Sequence, residues 1–254
     1  MAIAITAMGA GAGVGVGNKT SEASTAQTVS ASASIGDLVI VTIWADNSGT
    51  SGVSAISSVT DSTGANTYTS LVERSRPATT DAGLTVAMYR SVLASALTSG
   101  VSTVTVNWSP NVVAKAVAVV KVTGADTTAY ETGANDGSGT TYTVTTTASL
   151  AVNDVILGSA GNESGTNVSL DTDSTNGTWV GSIGGTTSGG SGGDATKVGG
   201  RNQYKIATGV GTQTYDAATG ASTDWAAVYA LFREPAAATF APPFRHNRRC
   251  LIVR

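Results

Sequence analysis

The chain says nearly the same thing twice, and no other feature limits its possible folds as strongly. Ile35-Gly36-Asp37-Leu38-Val39-Ile40 is answered by Val152-Asn153-Asp154-Val155-Ile156-Leu157. Asp61-Ser62-Thr63-Gly64-Ala65-Asn66-Thr67-Tyr68 is answered, one residue shorter, by Asp173-Ser174-Thr175-Asn176-Gly177-Thr178-Trp179. Met88-Tyr89-Arg90 matches Gln203-Tyr204-Lys205, and Gly100-Val101-Ser102-Thr103-Val104-Thr105 matches Gly209-Val210-Gly211-Thr212-Gln213-Thr214. Ala118-Val119-Val120-Lys121 matches Ala230-Leu231-Phe232-Arg233. The offsets drift from 117 at the first block to 109 at the fourth, as loop insertions would make them. Five blocks in the same order imply two halves built to one plan.

The text between the blocks is β-text. Asp37–Ala45 is a dense β-branched run, and Ser102–Trp108 alternates strictly, with Val104, Val106 and Trp108 on one face and Thr103, Thr105 and Asn107 on the other. Alternation of that kind marks a half-buried strand. Leu84–Val92 and Lys115–Thr123 read as strands, as does the second part of Val59–Val72 after the Asp61–Gly64 turn. The second half supplies Tyr142–Thr147, Asp154–Ser159, Thr178–Ile183, Asn202–Thr208, Thr212–Ala217 and Trp225–Phe232. No segment has the spacing of an amphipathic helix, and short strands separated by turn signals point to a sandwich or barrel. The fold class expected is all-β: a jelly-roll-like double-sheet β-sandwich, its two pseudo-repeated halves both contributing strands. The junction near Gly124–Thr141 has no proline and each half is poor in core aromatics, which favours one shared sandwich over two in tandem. The division expected is an N-terminal arm over 1–24, a sandwich over 25–234 with halves at about 25–124 and 140–234, and a tail over 235–254. The first six residues alternate and could form an edge strand.

Composition narrows what such a sandwich does. Charged residues make up 12% of the chain, about half the usual ~25%. With 41% hydrophobic residues the chain should still fold, presenting a surface of Thr, Ser and Asn that is less costly to desolvate in an assembly than charge. Cys250 is the single cysteine, so no internal disulfide framework exists. The first cation is Lys19 and no apolar run reaches the ~18 residues of a membrane helix, so the expectation is a soluble chain made in a cytoplasm, with no membrane partner. The net charge of −3 hides an uneven distribution. Residues 235–254 hold Arg245, Arg248, Arg249 and Arg254 and no acid, which makes the tail +4 and the remainder −7.

A search for chemistry returns little. His246 and Cys250, the only histidine and cysteine, both lie in the tail, where neither a pocket nor an orienting third group is in prospect. Zinc ligation within one chain is excluded by the same count. The carboxylates are scattered, and none stands in a recognisable catalytic signature. Asp171-Thr172-Asp173-Ser174-Thr175-Asn176-Gly177 has oxygen ligands at alternate positions, as calcium loops do, but no bidentate Glu follows and its counterpart Asp61–Asn66 is turn chemistry. The Gly184–Gly193 run lacks the Lys-Ser/Thr ending of a phosphate cradle. Neither a cofactor nor a metal is expected. Among the tryptophans, Trp44, Trp108 and Trp225 sit in apolar runs and read as core, while Trp179 follows a turn and is the candidate for glycan contact, with loops 46–55 and 184–193 around it. Four arginines on an acidic body are a poor nucleic-acid site. They suit carboxylate docking instead, and Leu251, Ile252 and Val253 can add to a neighbour's sheet edge. The partner-docking set is therefore Arg245, Arg248, Arg249, Leu251, Ile252, Val253 and Arg254.

The order Gly36-Asp37-Leu38-Val39-Ile40-Val41, Val59-Thr60-Asp61-Ser62-Thr63-Gly64, Asn66-Thr67-Tyr68, Thr103-Val104-Thr105-Val106 and Ala116-Val117-Ala118-Val119 resembles repeated β-sandwich domains of tailed-bacteriophage virion proteins and of some bacterial surface proteins. It covers roughly residues 28–234. The ending Arg248-Arg249-Cys250-Leu251-Ile252-Val253-Arg254 resembles the short basic-apolar tails of some phage tail- and capsid-associated proteins. The resemblance implies a non-enzymatic structural protein of the virion, a capsid decoration or minor tail protein, homo-oligomeric and partnered by other virion proteins. It brings no catalytic residues. The alternative expectation is a lectin-like module that recognises a host-surface glycan.

Overall fold

A computed structural model describes residues 3–8, 24–46, 56–76, 83–112, 114–163, 168–186 and 198–235, and no helix occurs among them. The first half holds β1 (Ala4–Met8), β2 (Ser24–Ser30), β3 (Leu38–Asp46), β4 (Ile56–Asp61), β5 (Thr69–Arg76), β6 (Leu84–Val92), β7 (Thr103–Val112) and β8 (Lys115–Thr123). The second holds β9 (Glu131–Thr145), β10 (Val155–Asn162), β11 (Val180–Thr186), β12 (Gly199–Ile206) and β13 (Thr214–Phe232). The start of the expected N-terminal arm is built in, since β1 is an edge strand paired along β8 from Ala4↔Thr123 to Met8↔Val119.

The first eight strands form two antiparallel sheets, β1-β8-β3-β6-β5 and β2-β7-β4. Strands 1-8-3-6 in one sheet, facing 2-7-4 in the other, are wound as in a jelly roll. The third sheet runs β9-β13-β10-β12-β11, and its centre is paired as the first sheet's is. β3 lies between β6 and β8, with Ile40 opposite Arg90 and Val120; β10 lies between β12 and β13, with Leu157 opposite Tyr204 and Ala230. Two long strands replace four shorter ones here. β9 pairs with β13 first over Glu131–Gly139 and then, past a register break in β13 between Ala218 and Thr223, over Thr141–Thr145.

The expected all-β sandwich is present, but the halves do not share its two sheets. β1 to β8 stay in the first two sheets and β9 to β13 in the third, so the sheets stack in the order small, large, large. The cause is legible in β3, which is buried at all nine positions. Its Val39, Val41 and Ile43 pack with Val104, Val106 and Trp108 under the small sheet. Its Leu38, Ile40 and Trp44 pack with Val155, Leu157, Val228 and Phe232 of the other half. A sheet that is apolar on both faces needs two covers. On its far side the third sheet buries Tyr142, Trp179, Tyr215, Trp225 and Leu231.

Trp44 fixes how the halves meet. Its ring is fully buried, its Nε1–H donates to the Ala160 carbonyl at 3.1 Å, and it lies flat enough on β12 that a Cβ on Gly200 would stand 2.4 Å from the ring. Only a residue without a side chain fits beneath it. Gly83 N–H donates to Glu163 Oε1 at 2.6 Å close by. At the edge, Arg74 and Arg76 on β5 clasp Asp136 on β9, and Arg76 also faces Asp224 at 3.6 Å. Trp44 lies near the end of β3 and Ala160 near the end of β10, so β3 and β10 run the same way and begin at one common end of the molecule.

Candidate functional site

That common end, where β3 and β10 begin, gathers the features that depart from ordinary packing. Two near-identical turns lead into these strands. Asp37 Oδ2 accepts the Ser34 N–H at 2.8 Å, and Asp154 Oδ2 accepts the Ala151 N–H at 2.8 Å. Gly36 and Asn153, just ahead of each Asp, both adopt the left-handed conformation with φ of 85° and 72°. Gly36 N–H donates to Leu93 O, and Asn153 N–H to Ala207 O, each at 2.8 Å. Glycine takes this conformation without cost, and Asn is the side chain that tolerates it best.

These turns hold apolar side chains out in water. Ile35 is 68% exposed and Val101 76% in the first half; Val152 is 50% and Val210 71% exposed in the second. The loops that carry them are joined within each half by the Ala33↔Leu97 and Leu150↔Gly211 bridges. All four occupy repeated sequence blocks, Ile35 with Val152 and Val101 with Val210. Scattered exposed valines mean nothing, but the same two tips recurring in both halves do. Val92, opposite Leu38, and Tyr130, under the Arg233 guanidinium, are exposed at the same end. The first described strand begins there and the chain leaves the last one there: Ala4 pairs at the end of β8, and Glu234 accepts from Asn153 Nδ2 at 2.9 Å.

The second feature is a buried ionic cluster under the loop before β11. Lys205 on β12 is fully buried, and its three ammonium hydrogens have three acceptors: Asp173 Oδ2 at 3.0 Å, Thr175 O at 3.0 Å and Gln213 Oε1 at 2.9 Å. The Trp179 ring covers it at 5.0 Å. Burial works against ionisation of Asp173, yet the Thr175 N–H and the Lys205 ammonium together hold its pKa below the ordinary value. Deeper in, burial raises Asp171, and the nearby Asp216 charge adds to that, although its carboxylate accepts the Asp216 and Asp173 N–H groups. The segment that reads like a calcium loop thus spends its Asp173 carboxylate and Thr175 carbonyl on an internal ammonium. Among the described residues no group of three or more His, Cys, Asp or Glu is placed to hold a metal.

Trp179, expected as the glycan contact, is buried. It is 4% exposed, sandwiched between Lys205 and Tyr215, whose ring centroid lies 5.1 Å away, so it presents no face to a glycan. The turn before it is readable in the sequence, but the packing of the indole over Lys205, in the next repeated block, is not. Trp44, Trp108 and Trp225 are core, as expected. Arg245, Arg248, Arg249, Leu251, Ile252, Val253 and Arg254 lie outside the described residues, as do His246, Cys250 and most of loops 46–55 and 184–193. The four tips carry a signal in the sequence, an apolar residue kept in a turn, whereas Lys205 has none that sets it apart from Arg201 on the same strand. Among known proteins, no family model, no curated sequence and no solved structure matches this chain.

Proposed function

We propose that the protein is a non-enzymatic structural subunit of a bacteriophage particle, displayed on the capsid or tail surface and attached through its terminal segment. One observation carries the reading: the first and last described strands meet the same end of the stack, and that end also holds the exposed apolar tips. Attachment there leaves the opposite end, around Trp44 and Glu163, free to project. The low charge and the hydroxyl-rich strands suit a subunit that is packed against neighbours. Its partners are other virion proteins and copies of itself, and its place is the virion, reached from the host cytoplasm.

Deleting residues 236–254 and counting copies per purified particle tests this. A particle without the truncated protein supports attachment through that segment. Unchanged incorporation overturns it, and specific binding of the body to a defined glycan panel would favour the lectin-like alternative.

A further inference from the structure

Four strands bound the two large sheets, and they are not alike. β1 and β5 are the edges of the first large sheet, β11 and β9 those of the third. Because these sheets are stacked, the four edges gather into two sides: β5 lies over β9, and β1 lies over β11. An edge strand presents a row of unpaired N–H and C=O groups, and charged side chains along it keep other chains from pairing there. The β5–β9 side has such charges. β5 carries Glu73, Arg74 and Arg76, β9 carries Glu131 and Asp136, and both arginines reach across to Asp136. The β1–β11 side has none: neither Ala4–Met8 nor Val180–Thr186 contains a charged residue or a proline. Ile5 and Met8 pack into the cores on the two faces of β1, while Ala4, Thr6 and Ala7 are exposed. The strand is thus held in place with its outward edge open. Among the described residues no strand pairs with that edge or with the outward edge of β11.

The partner follows from there being two open edges side by side. A single foreign strand adds to one sheet and leaves the other edge bare. What fits both is a body that presents two strand edges at the spacing of stacked sheets, about 10 Å. The β1–β11 side is itself such a body. A half-turn about an axis perpendicular to the sheets sets β1 antiparallel to β1 of a second copy and, in the same movement, β11 antiparallel to β11. Neither pairing brings like charges together. We infer that two copies join edge to edge through β1 and β11, so that each five-stranded large sheet continues into that of the second copy. The contact is isologous and uses both open edges, which leaves the charged β5–β9 sides outermost, so pairing of this kind stops at the dimer. It rests on the structural reading above, in which copies meet one another, and names the surface by which they do.

Thr6 is the middle residue of β1 and is exposed, so the half-turn brings it opposite or diagonal to its own copy, within about 8 Å. Thr6→Lys and Thr6→Glu each set like charges together there and should weaken pairing about fivefold. An exposed position should leave the fold intact, which circular dichroism checks. Sedimentation of the full-length chain over a concentration series should show a mass rising from 25.2 kDa to twice that value. Each variant should need about fivefold more protein for the same rise. An equimolar mixture of the two, in which Lys meets Glu, should move back to the wild-type curve. Ser70→Lys, on an exposed position of β5 at the other side, should not move it. A wild type that stays at 25.2 kDa, variants that follow the wild-type curve, a mixture no better than either variant, or lost pairing in Ser70→Lys would each overturn the inference. Copy counts on purified particles test the structural reading separately, so a wild-type monomer that still enters particles removes this contact alone.

Discussion

Gly200 and Trp44 allow the contact between the halves to be measured rather than described. A methyl group on Gly200 would sit 2.4 Å from two atoms of the indole, well inside van der Waals contact, while the hydrogen bond from Trp44 to Ala160 ties the ring to the neighbouring strand of the same sheet. Gly200→Ala should therefore force the ring off its seat and cost about 1–3 kcal/mol, the usual range for overpacking. Trp44→Ala should cost about 3–5 kcal/mol, from lost burial and the cavity left behind. The informative variant carries both. With the indole gone the methyl group has room, and alanine in a strand is favoured over glycine by roughly 0.5–1 kcal/mol. Gly200→Ala should then be neutral or stabilising, giving a coupling energy of at least about 1 kcal/mol.

Gly161 supplies the control. A Cβ there meets Trp44 at 2.7 Å but also the Gly199 carbonyl at 3.2 Å, and backbone does not move aside when Trp44 is removed. Gly161→Ala should stay costly in both backgrounds. Urea unfolding followed by far-ultraviolet circular dichroism measures all of these variants without depending on the deleted tryptophan. If Gly200→Ala costs the same with and without Trp44, the indole does not rest on β12 and the stacking of the halves described above is wrong.

Lys205→Met should destabilise the second half by about 1–3 kcal/mol, below the 3–5 expected for a sealed ion pair, because Asp173 is partly open to water and can rehydrate; urea midpoints give the value, and no loss would show that the ammonium does not hold the loop. Asp136→Asn should cost about 1 kcal/mol and shrink in high salt, since Arg74 and Arg76 are substantially exposed partners; thermal unfolding at low and high ionic strength separates that from a salt-independent packing defect. Asp61, Glu131 and Asp173 all ionise below the ordinary carboxylate value. Burial opposes this in each, but donors prevail, from Thr63 and Asn66 to Asp61 and from Tyr229 and the Thr147 and Ala148 N–H groups to Glu131, while Thr175 and Lys205 serve Asp173. A folded pKa below the unfolded one stabilises fully above the unfolded value of about 4 and is lost as pH falls through the folded value. Asp171, raised by burial, runs the opposite way and relieves its cost on acidification. Three against one predicts a urea midpoint that drops below about pH 4, and Glu131→Gln should flatten that drop.

What the sequence revealed, and what it concealed, follows from the different ranges of the forces involved. Local geometry was legible. The turn blocks at Ile35–Asp37 and Val152–Asp154 share their offset of 117 with β3 and β10, and the hydrogen bonds around Asp37 and Asp154 agree one for one. Leu84–Val92 and Lys115–Thr123 match β6 and β8 residue for residue, whereas β2 is not read as a strand and Thr212–Ala217 and Trp225–Phe232 belong to one strand, β13. Register was less secure. Val120 faces Ile40 where Ala230 faces Leu157, so the last sequence block was aligned two residues out, which keeps the face. Arg90 faces Ile40 where Tyr204 faces Leu157, so the third block was one residue out, which exchanges the faces. Accordingly Tyr89 packs towards the small sheet and Tyr204 towards the other half, although the two look equivalent in sequence.

The Gly-, Asn- and Asp-rich start of β9 was hidden for a related reason. Glu131–Gly139 has poor strand propensity and is held by β13 alongside it, with Tyr229 and Trp225 lying over Gly133 and Gly137. Pairing with a neighbour, not local preference, makes that strand. Trp179 failed in the same way, since its exposure was decided by a lysine that is distant in sequence. The four tips invert the case. Packing does not require an apolar side chain at Ile35, Val101, Val152 or Val210, and turn geometry does not either, so a chain selected only to fold could carry Ser or Asn at each. Keeping apolar residues at both pairs of repeated positions is a feature that the isolated fold leaves unexplained.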